Sequence, residues 1–265
     1  MDAIVTAGGI PLPEDPLYPY TEGHSKAMLD IAGKPMIQWV LEALSASKKV
    51  DNVIIIGMSE KSGVVCSKPT YFLSSEGRML ANIVAGVKKA VELNPQTERV
   101  LVVSSDIPAL TTEMVDWLVE EIEKEPADLY YGIIPREAME KRFPDSRRTW
   151  THLKGMDVCG ADINAAHVRM AIEHLEMWEA LIGNRKSPLR QAAIIGFGTL
   201  FLAALRQLTL DDLVKRVCER IGIHGKALIW PWAEAGMDVD KPHQLEIMRA
   251  DLAIPDTIPS LMEEG

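Results

Sequence analysis

The chain has 265 residues, 47% apolar and 25% charged, the make-up of a globular protein able to bury a full core. Lys+Arg 28 against Asp+Glu 38 leaves a net charge of −10 at pH 7. These values exclude a disulfide mini-scaffold, a disordered tail and a short helical module. The acidic balance argues against a nucleic-acid partner, which needs Lys/Arg patches facing phosphates. A nucleotide substrate stays open, because a small anion needs only one local positive pocket.

In chain order, short β-branched runs alternate with amphipathic stretches, a βαβ pattern that predicts an α/β fold with a mostly parallel sheet. Residues 3–7 predict the first strand, and a Pro-rich loop over 8–24 follows. Pro35 opens a predicted helix to Leu44, where Met36, Ile37, Val40, Leu41 and Leu44 recur at helical spacing. Residues 53–57 predict a buried strand, with a short one at 71–73 and a helix over 78–91. Residues 100–104 are apolar on both faces, as in a central strand. Thr111 is placed to cap a helix through Glu123. Residues 129–134 predict another strand, and 135–164 read as irregular. Helices are expected at 167–181, 188–205 and 210–221, then a strand at 227–230 and a helix at 242–252. With no repeat or long linker, we read 1–265 as one domain, with 135–205 as an acceptor-side elaboration.

Cys66, Cys159 and Cys218 are too widely spaced for a metal knuckle or redox pair, and their odd count does not suggest a disulfide framework. They read as reduced, mostly buried thiols. The run from Met1 lacks the basic start and apolar stretch of a signal peptide, so a cytoplasmic protein is expected. The longest apolar run, residues 192–205, falls short of the about 20 residues needed to span a bilayer. That run and the six tryptophans leave room for a homodimer interface, and a buried core explains them equally.

Four features carry chemistry. Ala7-Gly8-Gly9 directly follows a buried strand, where missing Cβ atoms let the backbone approach a ligand, although a plain tight turn also explains them. This is neither a dinucleotide fingerprint nor a Walker loop. Lys26 returns toward these glycines and offers a compact charge for phosphates, or is an ordinary surface lysine. Asp106, at the carboxyl end of the central strand, suits magnesium or caps the next turn. Asp238-Val239-Asp240 precedes the helix begun by Pro242, so Asp240 is either that helix's N-cap or a second ligand to the same metal.

Taken in order, these features resemble the nucleotidyltransferase superfamily of sugar-1-phosphate nucleotidyltransferases, molybdenum-cofactor guanylyltransferases and methylerythritol cytidylyltransferases. The resemblance rests on Ala7-Gly8-Gly9, Lys26, the run from Leu29 through Gly33-Lys34-Pro35-Met36, Asp106-Ile107-Pro108, and Asp240-Lys241-Pro242 with Leu245. It implies a Rossmann-like three-layer sandwich of the nucleotide-diphospho-sugar transferase type. It also implies a metal-dependent reaction joining a nucleoside triphosphate to a phosphorylated small-molecule acceptor with loss of pyrophosphate.

By that resemblance Ala7, Gly8, Gly9 and Lys26 hold the nucleotide, with Gly77 and Asn82 in the base-recognition stretch. Asp106 and Asp240 hold Mg2+ or another divalent cation. Lys26, Asp106 and Asp240 are the catalytic set, and Lys154, Asp162 and Asn164 are acceptor-side candidates. On the residues alone, Asn82 is equally a helix-surface residue.

Two departures stand out. Relatives carry a compact Gly-x-Gly-x-Arg loop, but here Ile10-Pro11-Leu12-Pro13-Glu14-Asp15-Pro16 is longer and acidic, with no arginine before Lys26. The closing motif usually reads Asp-x-Pro-Glu-Asp-Leu, and here His243 and Gln244 replace the two acids. The first departure keeps alive a catalytically weak nucleotide-binding or regulatory protein on the same fold. A glycosyltransferase on a related fold ranks behind it, because the usual mid-chain Asp-x-Asp is missing around Asp106.

Overall fold

The computed structural model of the chain describes residues 1–173, 199, 202 and 205–253. The most apolar runs form the centre of the sheet. Strand β1 (Asp2–Thr6) lies between β4 (Val53–Ile56) and β6 (Arg99–Ser104), parallel to both, with Ile4 opposite Ile54 on one side and Val102 on the other. All four residues of β4 are buried, as expected of a strand covered on both faces. Strand β5 (Thr70–Leu73) extends this parallel half.

The covering helices make the three layers. Helices α2 (Met36–Ala46) and α4 (Thr112–Lys124) pack with Ala3 and Val5 on one face. Helix α3 (Met79–Leu93) buries Val87 and Ala90 against Ile4, Ile54 and Ile56 on the other. Period 2 in the strand sends Ile4 to one side and its neighbours to the opposite side. The expected Thr111 cap is present, with its side chain accepting the Met114 N–H. Pro35 stands one residue before α2 instead of inside it. It belongs to β3 (Lys34–Pro35), paired with β2 (Asp30–Ile31) and held extended at ψ 141°.

Past β6 the sheet turns mixed, in the order β5-β4-β1-β6-β10-β7-β9-β8, with β11 (Gly225–Ile229) parallel to β7 on its other edge. Here the expectation of an irregular 135–164 stretch is overturned. It holds the end of β7 (Leu129–Pro135), α5 (Arg136–Arg142), β8 (Thr151–Leu153), β9 (Met156–Gly160) and the start of β10 (Ile163–His167). These elements are short, and β8 and β9 are antiparallel partners on a sheet edge. Neither a long periodic signal nor a continuous apolar run marks them.

The expected helix at 167 starts later, because His167 still pairs with Arg99 in β10; α6 (Met170–Glu173) follows. The rest of that helix, the helix at 188–205 and most of the apolar run at 192–205 lie outside the described residues. Helix α7 (Leu210–Ile221) and helix α8 (Pro242–Leu252) match their expected bounds. Among the described residues, no helix is long and apolar enough to cross a membrane.

Candidate active site

The carboxyl ends of β1, β4 and β6 gather the candidate residues, where an open parallel sheet places its ligands. After β1, the buried Ala7 donates its N–H to the Ile56 carbonyl at 2.8 Å. Gly8 then meets the loop after β4 backbone to backbone. Gly57 has φ +94°, and a Cβ there would stand 2.2 Å from Gly8 Cα. Neither a left-handed backbone nor that approach admits a side chain.

Gly8 also faces the loop after β5, since a Cβ on it would stand 3.0 Å from Ser75 Oγ and 3.4 Å from Asn82 Nδ2. Asn82 is buried, which overturns its reading as a surface residue of α3. Its Oδ1 accepts the Glu76 N–H at 2.7 Å and so fixes the turn that contains Gly77. The structure therefore brings Ala7, Gly8, Gly77 and Asn82 to adjacent loops, with Gly9 following in the chain.

The Pro-rich segment between Gly9 and Lys26 is folded. The Asp15 carboxylate accepts the Leu12 N–H at 2.7 Å, Leu17 is buried, and helix α1 spans Tyr18–Thr21. Asp15 is thus spent on the loop's own turn. The segment returns with the Lys26 N–H donating to the Gly9 carbonyl at 2.9 Å.

From there the Lys26 side chain reaches two carboxylates, Asp106 Oδ2 at 2.5 Å and Asp240 Oδ1 at 2.6 Å. Burial alone would lower its affinity for a proton. The charges of Asp106 and then Asp240, with their hydrogen bonds, outweigh that and hold the ammonium above the ordinary lysine range. Lys26 is only 17% exposed, which sets aside the reading as an ordinary surface lysine. Asp106 is buried, its second oxygen accepts the Ser104 hydroxyl at 2.6 Å, and its carbonyl accepts the Val239 N–H at 3.0 Å. That last bond stitches the end of β6 to the segment carrying Asp238 and Asp240.

The two aspartates of that segment part ways. Asp240 turns toward Lys26, whereas Asp238 forms an ion pair with Arg148. Asp240 is not the N-cap of α8. Lys241 holds that position and no side chain caps the helix. Pro at the helix start removes one of the orphan N–H donors that a cap would serve.

Asp162 joins the cluster by an unusual route. Strands β9 and β10 lie end to end along one edge of β7, and the pairing shifts from Gly160–Ile133 to Ala165–Tyr130 across Ala161 and Asp162. This bulge drops Asp162 over the end of β6, where its carbonyl accepts the Ser104 N–H at 2.8 Å. Burial, and next the Asp106 charge, push its carboxyl up to about 7, against the pull of Arg148 at 3.8 Å.

Asn164 does not face the cluster. Its side chain patches the bulge, accepting the Gly132 N–H at 2.8 Å and donating to the Ala161 carbonyl at 3.1 Å. Lys154 sits in the β8–β9 turn, close enough to Asp212 on α7 to bear on its charge. The structure brings neither residue to the Lys26 corner.

From the sequence, Arg148 and Ser104 carry no assigned role, and Gln244 stands out only as a departure from the closing motif. Arg148 is one of two adjacent arginines in a stretch that reads as irregular; its side chain is 14% exposed, and a buried arginine is legible only with its partners. Ser104 carried one signal, its place two residues before Asp106 at the strand end.

Comparisons with known proteins identify the family and the fold. The MobA-like NTP transferase domain matches residues 21–221. The chain belongs to the MobA-like NTP transferase family. A probable molybdenum cofactor guanylyltransferase of Thermococcus gammatolerans is 27% identical over 135 residues, 45% of this chain and 68% of that protein. A hypothetical transferase from Thermus thermophilus has a similar structure, with a TM-score of 0.79 and 31% identity over 92% of this chain and 98% of the other. The fold is shared with a CMP:2-keto-3-deoxy-manno-octonic acid synthetase complexed with CTP, at a TM-score of 0.61 and 16% identity over 95% and 98% of the two chains. In this NTP transferase the reaction class is nucleotidyl transfer, and glycosyl transfer is set aside.

Proposed function

We propose that this NTP transferase joins a nucleoside triphosphate to a phosphorylated small-molecule acceptor and releases pyrophosphate, with a divalent cation held by Asp106 and Asp240. The observation that carries this reading is the convergence of Lys26, Asp106 and Asp240 from distant parts of the chain onto one point at the sheet's carboxyl edge.

The donor set fits a magnesium ion. Two carboxylates that both reach one ammonium nitrogen stand close enough to share a cation. Magnesium takes one or two carboxylates and fills its remaining positions with water and substrate phosphate. Bound there, the ion would supply charge neutralisation at the triphosphate.

The chain's own residues do the rest. Lys26 holds the position between the two carboxylates. With a divalent cation held there by Asp106 and Asp240, the Lys26 ammonium would be released to bind phosphate oxygens of the nucleotide. The contiguous backbone of Gly8, Gly9 and Gly57 lets the nucleotide lie close, and Asn82 with Gly77 shapes the loop beside it. Asp162 and Arg148 flank the far side of the cluster, where the acceptor enters. The acceptor's phosphate oxygen attacks the α-phosphorus in line and the bond to pyrophosphate breaks. That oxygen is already ionised near neutral pH, so no general base is required.

GTP is the first nucleotide to test and a molybdenum cofactor the first acceptor, following the named activity of the Thermococcus relative. The test is pyrophosphate release with magnesium, each triphosphate and a panel of phosphorylated acceptors. Asp106→Ala should lower turnover by about 10²–10³-fold with little change in melting temperature. Tight nucleotide binding with no pyrophosphate from any pair would favour a regulatory nucleotide-binding protein instead.

A further inference from the structure

The Asp240 carboxylate is 58% exposed, so burial alone does not fix it. Its backbone is held from below. The Asp240 N–H donates to Gln244 Oε1 at 2.9 Å. That donor can only face an acceptor, which sets the orientation of the amide and turns its NH2 group the other way. There Gln244 Nε2 reaches the Ser146 carbonyl at 3.5 Å, and His243 Nε2 stands 3.2 Å from the same oxygen. Gln244 and Ser146 are both fully enclosed, at 3% and 1% exposure. Two residues beyond Ser146, Arg148 returns to pair with Asp238, two residues before Asp240. A closed bracket results: Asp240, Gln244, Ser146, Arg148, Asp238.

We infer that Gln244 is a positioning residue that holds Asp240 and the 146–148 segment in one register. The inference rests on the metal reading above. A carboxylate at 244 could accept from Asp240 but could not donate to Ser146. An apolar side chain could do neither. Glutamine supplies one acceptor and one donor at the two ends of a single planar group, and it does so without adding charge beside Asp240. The cation-binding edge and the Arg148 edge are therefore joined through the Gln244 side chain, with His243 beside it on the Ser146 carbonyl, and a shift in either is felt by the other.

The experiment uses the full chain, with Mn2+ as the probe. Mn2+ binding is followed by the EPR signal of the free ion, and backbone hydrogen exchange is read at Asp240 and across 146–148. The proteins are the wild type, Asp106→Asn, Gln244→Glu and Gln244→Met. Gln244→Met should weaken Mn2+ binding by about tenfold and speed exchange at both places, because residues that orient ligands commonly carry such an effect. Gln244→Glu should keep Mn2+ binding at least as tight as wild type while exchange across 146–148 rises. Wild-type Mn2+ affinity and unchanged exchange in Gln244→Met would overturn the inference, as would unchanged exchange in Gln244→Glu. Where Gln244→Met fails to fold, Gln244→Glu decides. A wild type that binds no Mn2+ sinks the metal reading alone. The exchange arm still judges whether Gln244 holds the register.

Discussion

The two halves of the sheet deliver polar residues to the same corner by different means. In the parallel half, β5-β4-β1-β6, each strand simply ends and the next residues form a loop at the sheet's carboxyl edge. Ala7-Gly8 follows β1, Gly57 follows β4, and Asp106 follows β6. In the mixed half, Asp162 arrives because the chain breaks its pairing register with β7 between β9 and β10. One half relies on missing side chains. The other relies on an added one, since Asn164 must repair what the bulge opens. A site on strand ends tolerates little bulk; a site on a bulge tolerates little loss of hydrogen bonding.

The largest expected effect tests the first half. Gly57→Val would put a side chain onto Gly8 Cα and force a β-branched residue to φ +94°. Urea unfolding should show a loss of more than about 3 kcal/mol, or no folded protein at all. A near-neutral result would mean that the two loops do not need their close approach. Next, Asn164→Leu tests the bulge. It keeps the bulk but leaves the Gly132 N–H and the Ala161 carbonyl without their partner, and should cost about 1–3 kcal/mol. A stability equal to wild type would show that the repair is dispensable.

The smallest effect lies at the opposite end of β7. Asp128 precedes that strand, accepts the His224 N–H at 2.9 Å and pairs with Arg169. Burial opposes its ionisation. The His224 N–H and then Arg169 more than offset that and hold its carboxyl below the ordinary value of 3.8. The folded group is the stronger acid, so its stabilising contribution is present above the unfolded value and is lost as pH falls through the lower, folded one. Asp128→Asn should therefore flatten the acid limb of a stability–pH profile below about pH 4 and reduce stability near neutrality. A profile parallel to wild type would contradict the pairing.

The same contrast explains what the sequence made legible. The parallel half shows in it because strands buried on both faces are continuous apolar runs, and residues 53–56 and 100–104 announce themselves. Lys26, Asp106 and Asp240 stand out in the sequence through the order of their motifs and the resemblance that order carries. Their meeting at Lys26 depends on long-range geometry that no local signal carries. In the mixed half β7 and β11 are legible as apolar runs, whereas β8, β9 and β10 are not, because they are short and carry no continuous apolar run. There a one-residue choice, Asp162 against Asn164, separates the residue facing the cluster from the one repairing the sheet. What Arg148 and Gln244 do is not legible for a related reason. Their roles lie in bonds to backbone or charge nearly a hundred residues away.

The central claim is that Asp106 and Asp240 hold one cation with the nucleotide while Lys26 turns to its phosphates. The most direct measurement is calorimetric titration of GTP and the other triphosphates with and without magnesium, in wild type and Asp240→Asn. The account predicts that magnesium strengthens binding in wild type and has little effect in Asp240→Asn. The same magnesium dependence in both proteins, or none in either, would contradict it.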